Sequence, residues 1–140
     1  MVKKIFSVRN QNLWGSAALL LLRVVMGVAF MMHGWGKIQS PLNWMGPDSP
    51  VPGFLQFLGA FAEFGGGLAL ILGLLFPLAC LGMVFTMLGA TYLHAVVMGD
   101  PFIGPKSFEL PVVYLLISIV FIAIGSGNFS LDRKLFGTKS

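Results

Sequence analysis

The chain has 140 residues, of which 56% are hydrophobic and 10% charged, with a formal net charge of +4. A soluble domain carries about 25% charged residues, so this composition excludes one and points to an integral membrane protein with a single compact bundle. The positive balance does not indicate a nucleic-acid partner: most charges lie at the two ends, beside apolar segments, where anionic lipid headgroups are the natural partner.

The fold class expected is all-α, a polytopic membrane protein built as a bundle of four transmembrane helices. A span needs roughly 17–25 apolar residues, and the spans are placed at about 14–35, 53–75, 78–98 and 111–127, within one membrane domain over 1–140. Lys3, Lys4 and Arg9 give the first span a basic start, as in a signal peptide. The apolar run is too long for one, Arg23 interrupts it, and no small-x-small cleavage site follows. Residues 39–52 are dense in Pro, Gly, Ser and Asn, which marks a loop. Phe76-Pro77 is a tight connection, and Pro77 suits the first turn of the third helix. A second loop covers 99–106. In the tail, Ser130 is placed to cap a short amphipathic helix over 130–136, with Asp132 in its first turn.

Lys/Arg bias sets orientation. Lys3, Lys4 and Arg9 precede the first span and Arg133, Lys134 and Lys139 follow the last, so both termini are expected in the cytoplasm. The loops holding Asp48 and Asp100 then face outward. Trp14, Trp35 and Trp44 suit interfacial belts.

Five ionisable side chains fall within or at the ends of the apolar segments: Arg23, His33, Lys37, Glu63 and His94. Charge inside a bilayer is costly and faces a bundle interior, a partner or a functional cavity. Counting from the outer ends of their spans, Arg23 lies roughly 18 Å deep and Glu63 roughly 15 Å deep. A buried Arg23–Glu63 ion pair is the expectation, because guanidinium and carboxylate pair bidentately. Its bland alternative is a pair that only fixes helix register, since desolvation can exceed the attraction. His33 and His94 both fall near the outer ends of their helices, with Lys37 one turn beyond His33. Together they outline a ligand-binding or proton-exchanging pocket opening outward, with Glu109 and Tyr114 as its rim. The bland reading is a pair of interfacial histidines bonded to loop carbonyls. Glu63 shares a face with Gly59, Gly66 and Gly67, small residues that let helices approach closely.

Cys80, Met83, Met87, His94 and Met98 form a stripe on the third span. Thioether and imidazole can hold Cu(I) or haem iron, but core filling is the better reading of methionine, and no metal site is assigned. Cys80 is the only cysteine, which excludes an intrachain disulfide. It reads as a small buried hydrophobe. Gly125-x-Gly127-x-x-Ser130 follows a span rather than a strand and is not a dinucleotide loop. Ala62/Gly66 and Gly65/Ala69 are read as lipid-facing small-x-x-x-small pairs that would allow a homo-oligomer.

In order and spacing, the chain resembles the DoxX family of small four-helix bacterial membrane proteins. The resemblance rests on Leu22-Arg23 with Gly27, on His33-Gly34-x-Gly36-Lys37, and on Glu63 followed by Gly66-Gly67 and Leu72-Gly73. It continues in Ala90 and His94 and in Gly125-x-Gly127-x-x-Ser130-Leu131-Asp132. It implies a membrane subunit linked to respiratory or redox chemistry, located in the bacterial inner membrane; the cofactor is left open, with quinone as the candidate. The sequence carries no flavin, iron–sulfur or c-type haem motif.

The function expected is therefore an integral membrane subunit of a redox complex. It would bind a quinone or a small anionic substrate through His33, Lys37 and His94, above an Arg23–Glu63 floor. Its partners would be lipid and oxidoreductase subunits, with intrinsic catalysis left open. The rivals are a non-catalytic assembly or anchoring subunit and a small-molecule exporter. Four spans are few for the latter, and no broken helix of the transporter kind is present.

Overall fold

A computed structural model describes residues 2–138. Lys139, one of the basic residues expected on the cytoplasmic side, lies outside the described residues. The elements are α1 (Val2–Phe6), α2 (Leu13–Gln39), α3 (Gly53–Leu72), α4 (Phe76–Tyr92) continued by a π-helical turn (Leu93–Val97), α5 (Glu109–Ile124) and α6 (Leu131–Phe136). Three of these helices are long and apolar enough to cross a membrane: Leu13–Gln39, Gly53–Leu72 and Phe76–Val97. α5 is apolar but has only 16 residues, about 24 Å of helix. It stops at Ile124 because Gly125 turns out of the helix at φ 84.

Local chemistry explains the other boundaries. Asn12 caps α2, its side chain accepting from the backbone N–H of Gly15 at 2.7 Å. α3 ends in a Schellman motif around Gly73: Leu74 N donates to Ala69 O and Gly73 N to Leu70 O. Gly73 sits at φ 62, and a Cβ there would lie 2.5 Å from Ser130 Cβ and 2.6 Å from an Arg23 nitrogen. Only glycine meets both constraints. Pro77 stands in the first turn of α4 and Ser130 caps α6, as their sequence positions predict.

The helices pack in sequence order, α2 on α3, α3 on α4, and α4 on α5. α2 and α3 cross at van der Waals distance. A Cβ on Gly27 would lie 2.6 Å from Gly67 O, and one on Gly67 would lie 2.7 Å from Gly27 O. This reciprocal contact is the close approach that small residues permit between membrane helices. Leu19, Met26, Phe30, Leu70, Phe76, Cys80, Met83, Met87 and Phe121 form the apolar core. Most of the remaining apolar surface faces outward, Trp14, Leu21, Phe54, Phe85 and Leu116 included, while Ser16, Arg23, Gln56, Glu63, Ser118 and Asp132 are buried. Polar side chains inside and apolar ones outside are what a bilayer imposes on a bundle.

Both chain ends meet at one end of the bundle. Val8 bridges Thr138, Phe6 packs on Phe136, and Gln11 and Asn128 exchange hydrogen bonds. The loops over 40–52 and 98–108 lie at the other end.

Candidate functional site

The buried charges separate into two sites rather than one. At the end shared by the termini, Arg23 bonds four backbone carbonyls. Its Nε donates to Leu70 O at 2.9 Å, Nη2 to Ile71 O at 2.9 Å, and Nη1 to Ser126 O and Phe129 O. Leu70 and Ile71 belong to the last turn of α3, whose carbonyls lack helical partners and carry the negative end of the helix dipole. Asp132 completes the knot. Its two oxygens accept from Leu75 N and Phe76 N at 2.8 Å each, and its own N–H donates to Gly73 O. Leu75 stands at φ 46, and no side chain next to it in sequence caps α4. Asp132 serves as that cap from 57 residues away. Burial raises the pKa of the Asp132 carboxyl, against the two N–H groups and Arg23, which lower it. Every polar group in this knot has a partner.

In the other half of the bundle, Lys37 Nζ contacts Glu63 Oε1 at 2.7 Å and stands 4.5 Å from the centre of the Trp44 ring. Trp44 is fixed by its own hydrogen bond to Gln56 O and covers Lys37. Glu63 is 4% exposed, and its second oxygen, Oε2, is buried without a hydrogen-bond partner. A buried, unpartnered carboxylate oxygen costs more than almost any other polar group.

Glu63 lines a groove of about 1400 Å³ between α3 and α4. Its walls are apolar for most of their length, from Leu75 and Leu78 to Val97 and Met98, and the polar exceptions include Lys37, Trp44, Glu63 and His94. His94 enters the groove from the π-helical turn, an irregularity that recurs at functional sites. Its Nδ1 lies 2.7 Å from Asp100 Oδ2, and Asp100 N donates back to His94 O.

Several expectations are corrected by this geometry. Arg23 and Glu63 do not pair: Arg23 is held by carbonyls and Glu63 by Lys37. The cause is helix register. The sequence reading levelled Trp35 with Gly53, but Gly34 packs against Glu63 and Phe64, a displacement of about ten residues or ~15 Å. Residues 40–45 run back beside the start of α3, where Trp44 and Met45 bond Gln56, so α3 begins against the loop and not against the end of α2. His33 is exposed and does not line the groove. It sits 100° around the helix from Gly34, whereas Lys37 has the reach to bend back to Glu63. Glu109 is exposed in the first turn of α5, and Tyr114 packs on Phe30; neither forms a rim to this groove. Ala62 and Gly66 face Gly82 and Met83 of α4, not lipid. The Cys80–Met83–Met87 part of the stripe is core, and His94 turns away from it toward Asp100.

Two side-chain roles escape the sequence: Asp132 as the cap of α4 and Asp100 as the partner of His94. Asp132 had a signal: the Leu74-Leu75-Phe76-Pro77 connection opens a helix with no capping side chain of its own. Asp100 had none beyond its place in the loop that follows His94.

The DoxX family model matches residues 18–96, which include α3, α4 and His94. The chain belongs to the DoxX family. Two relatives span most of its length. "Inner membrane protein YqjF" of Escherichia coli K12 is 34% identical over 125 residues, covering 83% of this chain and 90% of the relative. "Putative oxidoreductase CatD" of Bacillus subtilis 168 is 31% identical over 123 residues, covering 86% and 88%. No solved structure matches. The matched DoxX segment contains Arg23, Lys37 and Glu63, while Asp100 and Asp132 lie beyond it.

Proposed function

We propose that this DoxX protein is a multi-pass subunit of the bacterial inner membrane that binds a quinone-class lipid in the α3–α4 groove, in service of a redox complex. One observation carries the reading: the Lys37–Glu63 pair lies among the lining of a groove whose walls are mostly apolar. Such a groove suits a hydrophobic body with a few polar groups on its head. The relatives' names, an inner membrane protein and an oxidoreductase, agree with the setting.

The character of the groove favours one of the two ligand classes expected from sequence. A small anion would meet the negative charge of Glu63 while the Lys37 ammonium is already matched by Oε1. A neutral lipophilic molecule meets neither penalty, and it enters from the bilayer between the exposed Phe61, Leu78 and Phe85. Lys37 and Glu63 would contact its head.

Trp44 is a built-in reporter, because a quinone in the groove quenches a nearby indole. With Trp14 and Trp35 replaced by Phe, decylubiquinone added to the protein in lipid nanodiscs is expected to quench Trp44 saturably. Glu63→Gln is expected to weaken this at least tenfold. Absence of saturable quenching, together with absence of quinone in lipid extracted from the purified protein, would remove this reading in favour of a non-catalytic anchoring subunit.

A further inference from the structure

The two ends of the chain converge on one structure. α1 and α6 lie side by side: Phe6 packs on Phe136 with ring centres 5.2 Å apart, Val8 N donates to Gly137 O at 2.9 Å, and Val8 bridges Thr138. The pair also gathers charge. Lys3, Lys4, Arg9 and Lys134 are exposed and Arg133 is partly exposed. No acidic side chain answers them. The chain has five: Asp48, Asp100 and Glu109 belong to the opposite end of the bundle, Glu63 is inside it, and Asp132 is sealed with its oxygens bonded to the N–H groups of Leu75 and Phe76. Ile5 and Leu135, next in sequence to Lys4 and Lys134, are 53% and 62% exposed.

We propose that α1 and α6 together form a docking plate for anionic phospholipid headgroups, in the leaflet on the side of the termini. Like charge without a partner in its own chain draws counter-ions from outside it, and a basic segment next to a membrane span finds them in anionic lipid. The apolar residues decide for a lipid surface over a soluble acidic partner. A helix lies in the interface when it puts apolar side chains at the headgroup–acyl boundary and basic ones among the headgroups, and lysine stems are long enough to snorkel there. Neither helix suffices alone. They have five and six residues, with one strongly exposed apolar side chain each, and stable anchoring takes more than one weak signal. The Phe6–Phe136 contact sums them into one patch. Docking also bears on the fold. α6 carries Asp132, whose carboxylate caps α4, and it follows the 126–129 turn that holds Arg23. Headgroups that hold the plate therefore hold that knot closed.

The test places a reporter in the plate. With Trp14, Trp35 and Trp44 replaced by Phe, Ile5→Trp gives a single indole. The protein is reconstituted in bilayers of phosphatidylcholine mixed with phosphatidylglycerol, one of the two brominated high on its acyl chains at a time. Brominated phosphatidylglycerol is expected to quench the indole with at least about fivefold preference over brominated phosphatidylcholine, the factor for a single basic residue near the surface. Raised salt should shrink the preference, since surface charge is screened. Lys3→Gln, Lys4→Gln and Lys134→Gln together should abolish it, the same three positions changed to Arg should keep it, and Lys106→Gln at the opposite end should leave it unaltered. Without the Trp reporter, phosphatidylglycerol should raise the unfolding temperature, and the triple Gln variant should lose that rise. Equal quenching by the two lipids would overturn the charge selection, and quenching by neither would put the plate in water and overturn the docking itself. A rise in unfolding temperature that survives in the triple Gln variant would place the stabilising lipid elsewhere on the bundle and overturn the link to the knot.

Discussion

Arg23 and Glu63 are both nearly sealed inside the bundle, at 1% and 4% exposure, yet their surroundings are opposite. Arg23 donates to four carbonyls, and the carboxylate beside it accepts two backbone N–H groups. Glu63 has one partner and one buried oxygen with none, and the residue lines a groove wide enough for a ligand. A buried charge whose bonding capacity is used up by its own chain serves the fold. One whose capacity is half used is not accounted for by the fold alone, because folding does not recover its desolvation cost. Burial alone does not separate these two cases; the hydrogen-bond inventory does.

Substitution should split the two regions, and the largest effect is expected at Arg23. Arg23→Leu leaves the α3 end and the 126–129 turn without their donor, so destabilisation of about 3–5 kcal/mol is expected in reversible unfolding in mixed micelles. Arg23→Lys should recover little, since one ammonium cannot reproduce the fork that spans α3 and the tail. A variant as stable as the parent would break the comparison at its first term.

Gly73→Ala comes next. The φ of 62 and the close approach of Ser130 and Arg23 predict a loss of about 1–3 kcal/mol in the same assay. Proteolysis at the tail should rise with it, as α6 loses its seat.

Glu63→Gln should behave in the reverse manner. Removing a half-paired buried carboxylate relieves as much as it loses, and Lys37 can extend toward water along its own stem. Stability is expected to fall less than on Arg23→Leu while quinone binding falls at least tenfold. Severe unfolding by Glu63→Gln with no specific binding defect would make Glu63 a fold residue like Arg23. The smallest effect belongs to His33→Ala, exposed and outside the groove. It should stay within about ±0.5 kcal/mol, with quenching of Trp44 unaltered.

The groove residues Lys37, Glu63 and His94 were all visible in the sequence as ionisable groups in apolar segments, where charge has a reason to be present. Their grouping was not. The expected Arg23–Glu63 pair was reasonable on helix lengths, and it failed because residues 40–45 fold back beside α3 instead of bridging two level helix ends. His33 is placed in the site by its matched depth with His94 and by Lys37 one turn beyond it. The structure separates them because a short imidazole cannot bend around the helix as a lysine can. The Asp132 cap on α4 joins residues more than fifty positions apart, beyond the reach of any local pattern.

What the sequence by itself determined is the class of molecule and its helices. Hydropathy and length dictate spanning helices, because a backbone in lipid must satisfy its own hydrogen bonds, and Pro77, Gly73 and Ser130 mark their ends by local sterics and capping. Only the tertiary structure decided which charges meet. Register between antiparallel helices depends on how the 40–52 loop folds and on where Gly27, Gly34 and Gly67 let two backbones touch. Those are contacts between distant parts of the chain, which hydropathy does not encode.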